Sequence, residues 1–126
     1  VDGSADIEGE LLRREPLFHH RVLGTSRADF LRQTSEDFWE VGASGRRYSR
    51  EEVWAVLERR FESDDEEPWE ISAFRIRQLA DNVFLATYRL VQAGTRITMR
   101  ATLWERAGDD WRAIYHQGTI NSEKEV

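Results

Sequence analysis

The chain has no cysteine, one methionine (Met99), two prolines and a single lysine, Lys124, in 126 residues. Without cysteine there is no disulfide and no thiolate metal site, which suits a reducing, cytoplasmic setting. No apolar run approaches the ~20 residues that span a bilayer, so no membrane is expected as a partner. No secretory leader is visible, and the opening VDGSAD reads as a frayed end or a cloning remnant. A phosphate-binding loop, a dinucleotide glycine fingerprint and H-E-x-x-H are all missing. The run Gly42-Ala43-Ser44-Gly45 lacks the G-x-S-x-G spacing of a nucleophile elbow. No cofactor and no metal site is therefore expected.

Charge excludes a further class. Acidic residues outnumber basic ones 24 to 18, a net charge of −6, which argues against an electrostatic grip on nucleic acid. The five tryptophans then read as core and rim rather than as a base-stacking platform. Because the basic groups are almost all arginine, a local site that holds carboxylates bidentately remains open. The length suggests one domain over residues 1–126, with residues 1–6 and 120–126 as frayed ends. A chain of this size buries roughly two-thirds of its unfolded surface and can hold a core without staples.

Helical periods come first. Ile7, Leu11 and Leu12 suggest a weakly amphipathic helix over Asp6–Glu15, which Pro16 ends. Leu17, Phe18, Val22 and Leu23 form an apolar connection packed under the helices, with His19-His20 as a partly exposed loop pair. Ser26 with Asp29 begins a short helix that turns Phe30 and Leu31 inward. Phe38–Val41 reads as a short strand, followed by the loop Gly42–Gly45, which is either a plain tight turn or a close backbone approach to a ligand. Ser49 and Glu52 make an S-x-x-E capping box, and Val53, Val56, Leu57 and Phe61 then form one helical stripe. The acidic run Asp64–Glu67 reads as a solvated loop.

From Trp69 the period becomes alternating. Strands are predicted at Trp69–Leu79, Val83–Val91, Thr95–Arg106 and Asp110–Thr119, joined by short links rich in turn residues. Helices followed by one antiparallel meander is the α+β pattern. Three-residue loops would pair residue 79 with 83, 91 with 95 and 106 with 110. One face then carries Phe74, Ile76, Phe84, Ala86, Tyr88, Arg100, Thr102, Trp104, Ile114 and His116. The other carries Val83, Leu85, Thr87, Met99, Ala101, Leu103, Ala113, Tyr115 and Gln117. The first mixes aromatics with a phenol, a guanidinium and an imidazole, as a pocket does. The second is smoother and suits a second subunit's sheet.

Three stretches carry a family resemblance: FWEVGASGRRYSREEV (Phe38–Val53), FRIRQLADNVFLATYRL (Phe74–Leu90) and LWERAGDDWRAIYHQGT (Leu103–Thr119). Over roughly Leu11 to Thr119 the chain resembles the nuclear transport factor 2-like superfamily. It is most similar to a bacterial domain-of-unknown-function branch beside the ketosteroid isomerase and SnoaL-type relatives. The E-x-G-x-S-G loop (Glu40, Gly42, Ser44, Gly45) and the H-Q-G-T ending (His116 to Thr119) carry the narrower likeness. The resemblance implies a cone: N-terminal helices packed in a strongly curved antiparallel sheet, a cystatin-like α+β barrel with a cavity inside. It also implies a homodimer through the outer sheet face. It supplies no reaction.

Three functions follow as expectations. In the first, the cone holds a small organic ligand, anionic or carbonyl-bearing, with Arg100 on its oxygen, Tyr88 and Trp104 beside it, His116 orienting it, and Ser44 and Gln117 as further contacts. In the second, Glu40 or His116 moves a proton on a small carbonyl compound while Arg100 stabilises the oxyanion, as in an isomerase, cyclase or dehydratase. In the third, the outer face or acidic loop binds another protein. Against all three stands a self-satisfied buried network, with Glu40 on Arg100 and His116 on Tyr88.

Overall fold

The computed structural model describes residues 4–63 and 68–121, with side chains from Asp6 onward. The expected acidic loop Asp64–Glu67 lies outside the described residues. The chain begins with helix α1 (Ser4–Arg14), which runs straight into a single 3-10 turn, Glu15–Phe18, whose start is set by Pro16. Helix α2 (Arg27–Arg32), strand β1 (Thr34–Val41), strand β2 (Arg47–Ser49) and helix α3 (Arg50–Phe61) follow. Both short polar motifs are reciprocal capping boxes: Ser26 with Asp29 starts α2, and Ser49 with Glu52 starts α3. Of the expected α3 stripe Val53 and Leu57 are buried and Val56 and Phe61 half-buried, and Trp54, outside that stripe, is buried with them. Leu17 and Phe18 are likewise buried, but Val22, expected to pack under the helices, is exposed.

Strands β3 (Trp69–Ala80), β4 (Val83–Gln92), β5 (Arg96–Ala107) and β6 (Asp110–Ile120) form an antiparallel meander. The six-stranded sheet has the order β2-β1-β6-β5-β4-β3, curved and not closed. One junction departs from the antiparallel expectation: β1 pairs with β6 in parallel, so an early strand lies against the last one. That junction sets Glu40 beside His116.

The register differs from the expected one in an instructive way. Gln92 faces Arg96 around a loop in which Ala93 and Gly94 both have positive φ, so Arg100 faces Tyr88 and not Ala86. A shift of two leaves every side chain on its face, and Phe84, Ala86, Tyr88, Thr102 and Trp104 are all buried. At β5/β6 the shift at Arg100 is also two residues but is reached in two steps. Ala107 pairs with Asp110, and a bulge between Leu103 and Trp104 then moves the register by one. Arg100 therefore faces Gly118, and His116 faces Thr102. Because a bulge reverses which residues point inward, Trp111 and Ala113 are buried beside His116, whereas Ile114 is only half-buried.

The helices and the concave face enclose a core of Leu11, Leu17, Phe18, Phe30, Phe38, Val53, Trp54, Leu57, Phe84, Trp104 and Trp111. Within it sits a fully buried carboxylate that the sequence reading passed over. Glu15 Oε1 accepts hydrogen bonds from the Tyr88 hydroxyl at 2.7 Å and the Thr102 hydroxyl at 2.9 Å, and Oε2 accepts one from the Trp104 indole at 2.7 Å. Tyr88 and Trp104, expected to line a ligand pocket, are thus turned to the protein's own carboxylate. Burial raises the Glu15 pKa above the ordinary carboxylate value, against the opposing pull of His116 and of the three donors.

Glu15→Ala would strand three buried donors, each worth ~1–3 kcal/mol. We expect urea unfolding at neutral pH to lose at least ~3 kcal/mol for this variant. Glu15→Gln loses far less, since its amide oxygen can accept from Trp104 while its NH2 group donates to the two hydroxyls. The pH dependence has a fixed sign. A raised carboxylate pKa contributes stability in full below the unfolded value, and that contribution falls away as pH rises through the folded one. The advantage of the parent over Glu15→Gln should therefore shrink with rising pH, and a growing advantage would contradict the assignment.

Candidate functional site

Beside Glu15 lies a second carboxylate of different character. His116 is completely buried, with its Nδ1 2.9 Å from Glu40 Oε2, where the N–H donates to the carboxylate. The Phe18 ring covers the imidazole face to face, with centroids 4.1 Å apart. His116 Nε2 is buried and has no partner among the described residues. For Glu40, burial alone would raise the pKa, but the hydrogen bond and charge of His116, with Arg100 and Arg60 beyond, outweigh it and lower it.

The two loop histidines are partly exposed, as expected. Both are half-buried against the Trp69 indole, His20 stacked on it at 4.5 Å and His19 tilted to it at 5.3 Å. His19 Nε2 lies 3.5 Å from the Tyr88 hydroxyl. Burial, and then the neighbouring charges of His116, Arg100 and Arg60, hold its pKa well below the ordinary histidine value.

The open volume is a cavity of about 160 Å³ between α3, the 3-10 turn and the concave sheet. Phe18, Val53, Val56 and Leu57 give it an apolar lining, and the Gly42–Ser44 loop and Tyr48 line it as well. The charged lining is Glu40 together with Arg60, Arg96 and Arg100. The loop is a tight turn, with Gly45 N–H on the Gly42 carbonyl at 2.8 Å and Gly45 at φ 90°, a conformation that favours glycine. Gly42 is small for a different reason: a Cβ there would stand 3.0 Å from the Tyr48 ring.

Arg100 is the most enclosed of the three arginines. Its Nε donates to Thr98 Oγ1 at 2.9 Å, and its guanidinium lies against Gly118, where a Cβ would come within 2.6 Å of Nη1. Its Nη groups have no partner among the described residues. Arg60 Nη1 donates to the Phe18 carbonyl at 3.3 Å. Among the described residues no carboxylate forms an ion pair with Arg60, Arg96 or Arg100, so Glu40 shares the cavity with them without closing on any.

Of the residues singled out by sequence, Glu40, Ser44 and Arg100 therefore line the cavity together. His116 stands behind Phe18, and Tyr88 and Trp104 are held by Glu15. Gln117 is on the convex face, where its Oε1 accepts from the Tyr115 hydroxyl. The expected Glu40–Arg100 and His116–Tyr88 pairs do not form. Three residues went unnoticed although the sequence carried a signal for each. Glu15 continues the Ile7–Leu11 stripe at i+4, Arg60 flanks the Val56–Leu57 stripe, and Arg96 shares a strand face with Arg100. Among the described residues no group of three potential metal ligands occurs.

Two outcomes are expected. Gly118→Ala should displace the Arg100 guanidinium and cost ~1–3 kcal/mol in denaturant unfolding, as overpacking does. Glu40 carries the sign opposite to Glu15: a lowered carboxylate pKa contributes stability above the unfolded value that is lost as pH falls through the folded one. The stability of Glu40→Gln relative to the parent should therefore recover below pH 4.5, measured as unfolding midpoints along a pH series. An unchanged difference would contradict the ionised Glu40–His116 contact.

No protein-family model and no curated protein sequence matches this chain. Solved structures do. An NTF-2 like protein of unknown function from Pseudomonas aeruginosa superposes with a TM-score of 0.73 at 15% identity, covering 90% of this chain and 97% of its own. An uncharacterised protein with a cystatin-like fold from Caulobacter vibrioides gives 0.70 at 16% identity, covering 94% and 90%. A protein of unknown function from the DUF3225 family of Pectobacterium atrosepticum gives 0.68 at 21% identity, covering 97% and 93%. With its helices inside a curved open sheet and its cavity at their junction, the chain has the nuclear transport factor 2-like, cystatin-like cone fold.

Proposed function

We propose that this chain is a small-ligand-binding domain whose cavity takes a small organic anion on Arg100, with Arg60 and Arg96 around it. The observation that carries the reading is the charge balance of the cavity, three guanidiniums to one carboxylate with no ion pair among them. An arginine keeps its charge in a protein, so a buried guanidinium with unused Nη donors is a strong and directional anion receptor. At ~30 Å³ per water, the cavity of about 160 Å³ holds about five waters. Its occupant is accordingly a molecule of a few carbons.

One observation supports a second reading, an acid–base enzyme acting on a small carbonyl compound. Glu40 Oε1 has no partner among the described residues and belongs to a group that lines the cavity, so it could take a proton while Arg100 stabilises the oxyanion. Binding ranks first because the lowered pKa makes Glu40 a weak base, and Phe18 covers the imidazole that would assist it.

The proposal includes a homodimer through the convex face, where Met99 is 42% exposed amid half-buried Leu85, Ala101 and Leu103. Light scattering should give twice the chain mass, reduced to one by Leu103→Glu with Met99→Glu. A monomeric parent would remove the dimer from the account.

The binding reading is tested by thermal shift with a panel of small carboxylates and phosphates. We expect at least one anion to raise the unfolding temperature, as linkage requires when only the native state binds. Arg100→Ala should abolish that shift. A shift that survives Arg100→Ala, or a panel that shifts nothing, overturns the reading.

A further inference from the structure

We infer that the ligand of this cavity is a small carboxylate that also carries a hydrogen-bond donor close to its carboxyl group, a hydroxy acid or an amino acid of a few carbons. This rests on the anion-binding reading above and goes further, because it assigns Glu40 the other end of the ligand.

The inference comes from how opposite charges are arranged. Glu40 and Arg100 line one cavity and are themselves largely buried, so the attraction between them is less screened than between charges in water. Left to themselves they would close into an ion pair, but none forms. Each is held where it is by a separate anchor. Glu40 is fastened through Oε2 to His116 Nδ1, and His116 is itself clamped by the stacked Phe18 ring. Arg100 is fastened through Nε to Thr98 and lies flat against Gly118, with no room for a Cβ beneath it. Both residues line the same cavity, and Oε1 of Glu40 and the Nη donors of Arg100 have no protein partner among the described residues.

A bare anion answers only half of this site. Seated on Arg100, it would stand near a second negative charge with no proton between them, and like charges at close range cost free energy. A ligand that presents a hydroxyl or ammonium hydrogen to Oε1 turns that repulsion into a charge-assisted hydrogen bond. Size agrees: the cavity of about 160 Å³, with the apolar side chains of Phe18, Val53 and Leu57 beside the polar groups, has space for a short carbon chain. The chemistry shared by hydroxyl and ammonium is donation to a carboxylate, and the test separates the two.

Propionate, lactate and alanine have the same three-carbon acid skeleton and differ in having no donor, a hydroxyl or an ammonium group. Their dissociation constants for the parent, Glu40→Gln and Arg100→Ala would be measured by NMR titration, with each variant first shown to be folded by circular dichroism. For the parent we expect lactate or alanine to bind about tenfold more tightly than propionate, the equivalent of one charge-assisted hydrogen bond. The tighter of the two identifies the donor. In Glu40→Gln the preference should collapse and propionate itself should bind more tightly than to the parent, because the like charge has gone. Arg100→Ala should lose all three. If propionate binds the parent as well as the others do and is still lost in Arg100→Ala, this inference fails and the anion-binding reading stands. If Glu40→Gln leaves the preference intact, Glu40 is not the acceptor and the inference fails again. If none of the three binds the parent, both fall.

Discussion

The carboxylate of Glu15 is the contact on which the arrangement of this cone depends. It enters the interior at the end of α1 and is met there by donors from β4 and β5, namely Tyr88, Thr102 and Trp104. A buried carboxylate is costly unless its lone pairs are occupied, so the three donors and Glu15 require one another. Their meeting fixes the 3-10 turn against the middle of the sheet. Phe18, three residues on, is thereby placed over His116 and at the edge of the cavity.

This has a consequence for chemistry. The polar groups of the concave face fall into two sets separated by one phenylalanine ring. Behind it Glu15 is satisfied by Tyr88, Thr102 and Trp104, and in front Glu40 and Arg100 each keep polar atoms without a protein partner among the described residues. The front set is dominated by guanidiniums, and its single carboxylate is held away from them by an imidazole. Such separation needs anchoring on both sides, which Thr98 and Gly118 provide for Arg100 and His116 provides for Glu40. The resulting cavity is lined by guanidiniums without a carboxylate partner among the described residues and by a Glu40 whose one partner is His116, and that is why we read it as a receptor rather than as a structural network.

Much of the fold was legible in the sequence because its signals are local. The capping boxes at Ser26 and Ser49 and the change to an alternating period at Trp69 each lie within a few residues. The strand faces survived a wrong register at β4/β5 because the error was two residues, and side chains alternate with that period. The bulge near Trp104 broke the same logic in β6 and reversed the expected positions of Ala113 and Ile114. The parallel pairing of β1 with β6 has no local signature, since it joins segments more than 70 residues apart. The candidate site was legible in its residue types and less so in their partners. Tyr88 and Trp104 look like ligand groups until Glu15 is seen, and its place at i+4 on the Ile7–Leu11 stripe is a weak signal at a helix end before proline. Gln117 stands next to His116 in sequence, and strand alternation sends it to the convex face.

The central claim is that Glu40 and Arg100 are held apart across an open cavity so that a ligand can bridge them. A crystal structure of the protein grown in lactate tests it most directly. The account predicts density joining the Arg100 Nη groups to Glu40 Oε1, with Phe18 still stacked on His116. A direct Glu40–Arg100 ion pair across a cavity without ligand density would contradict it.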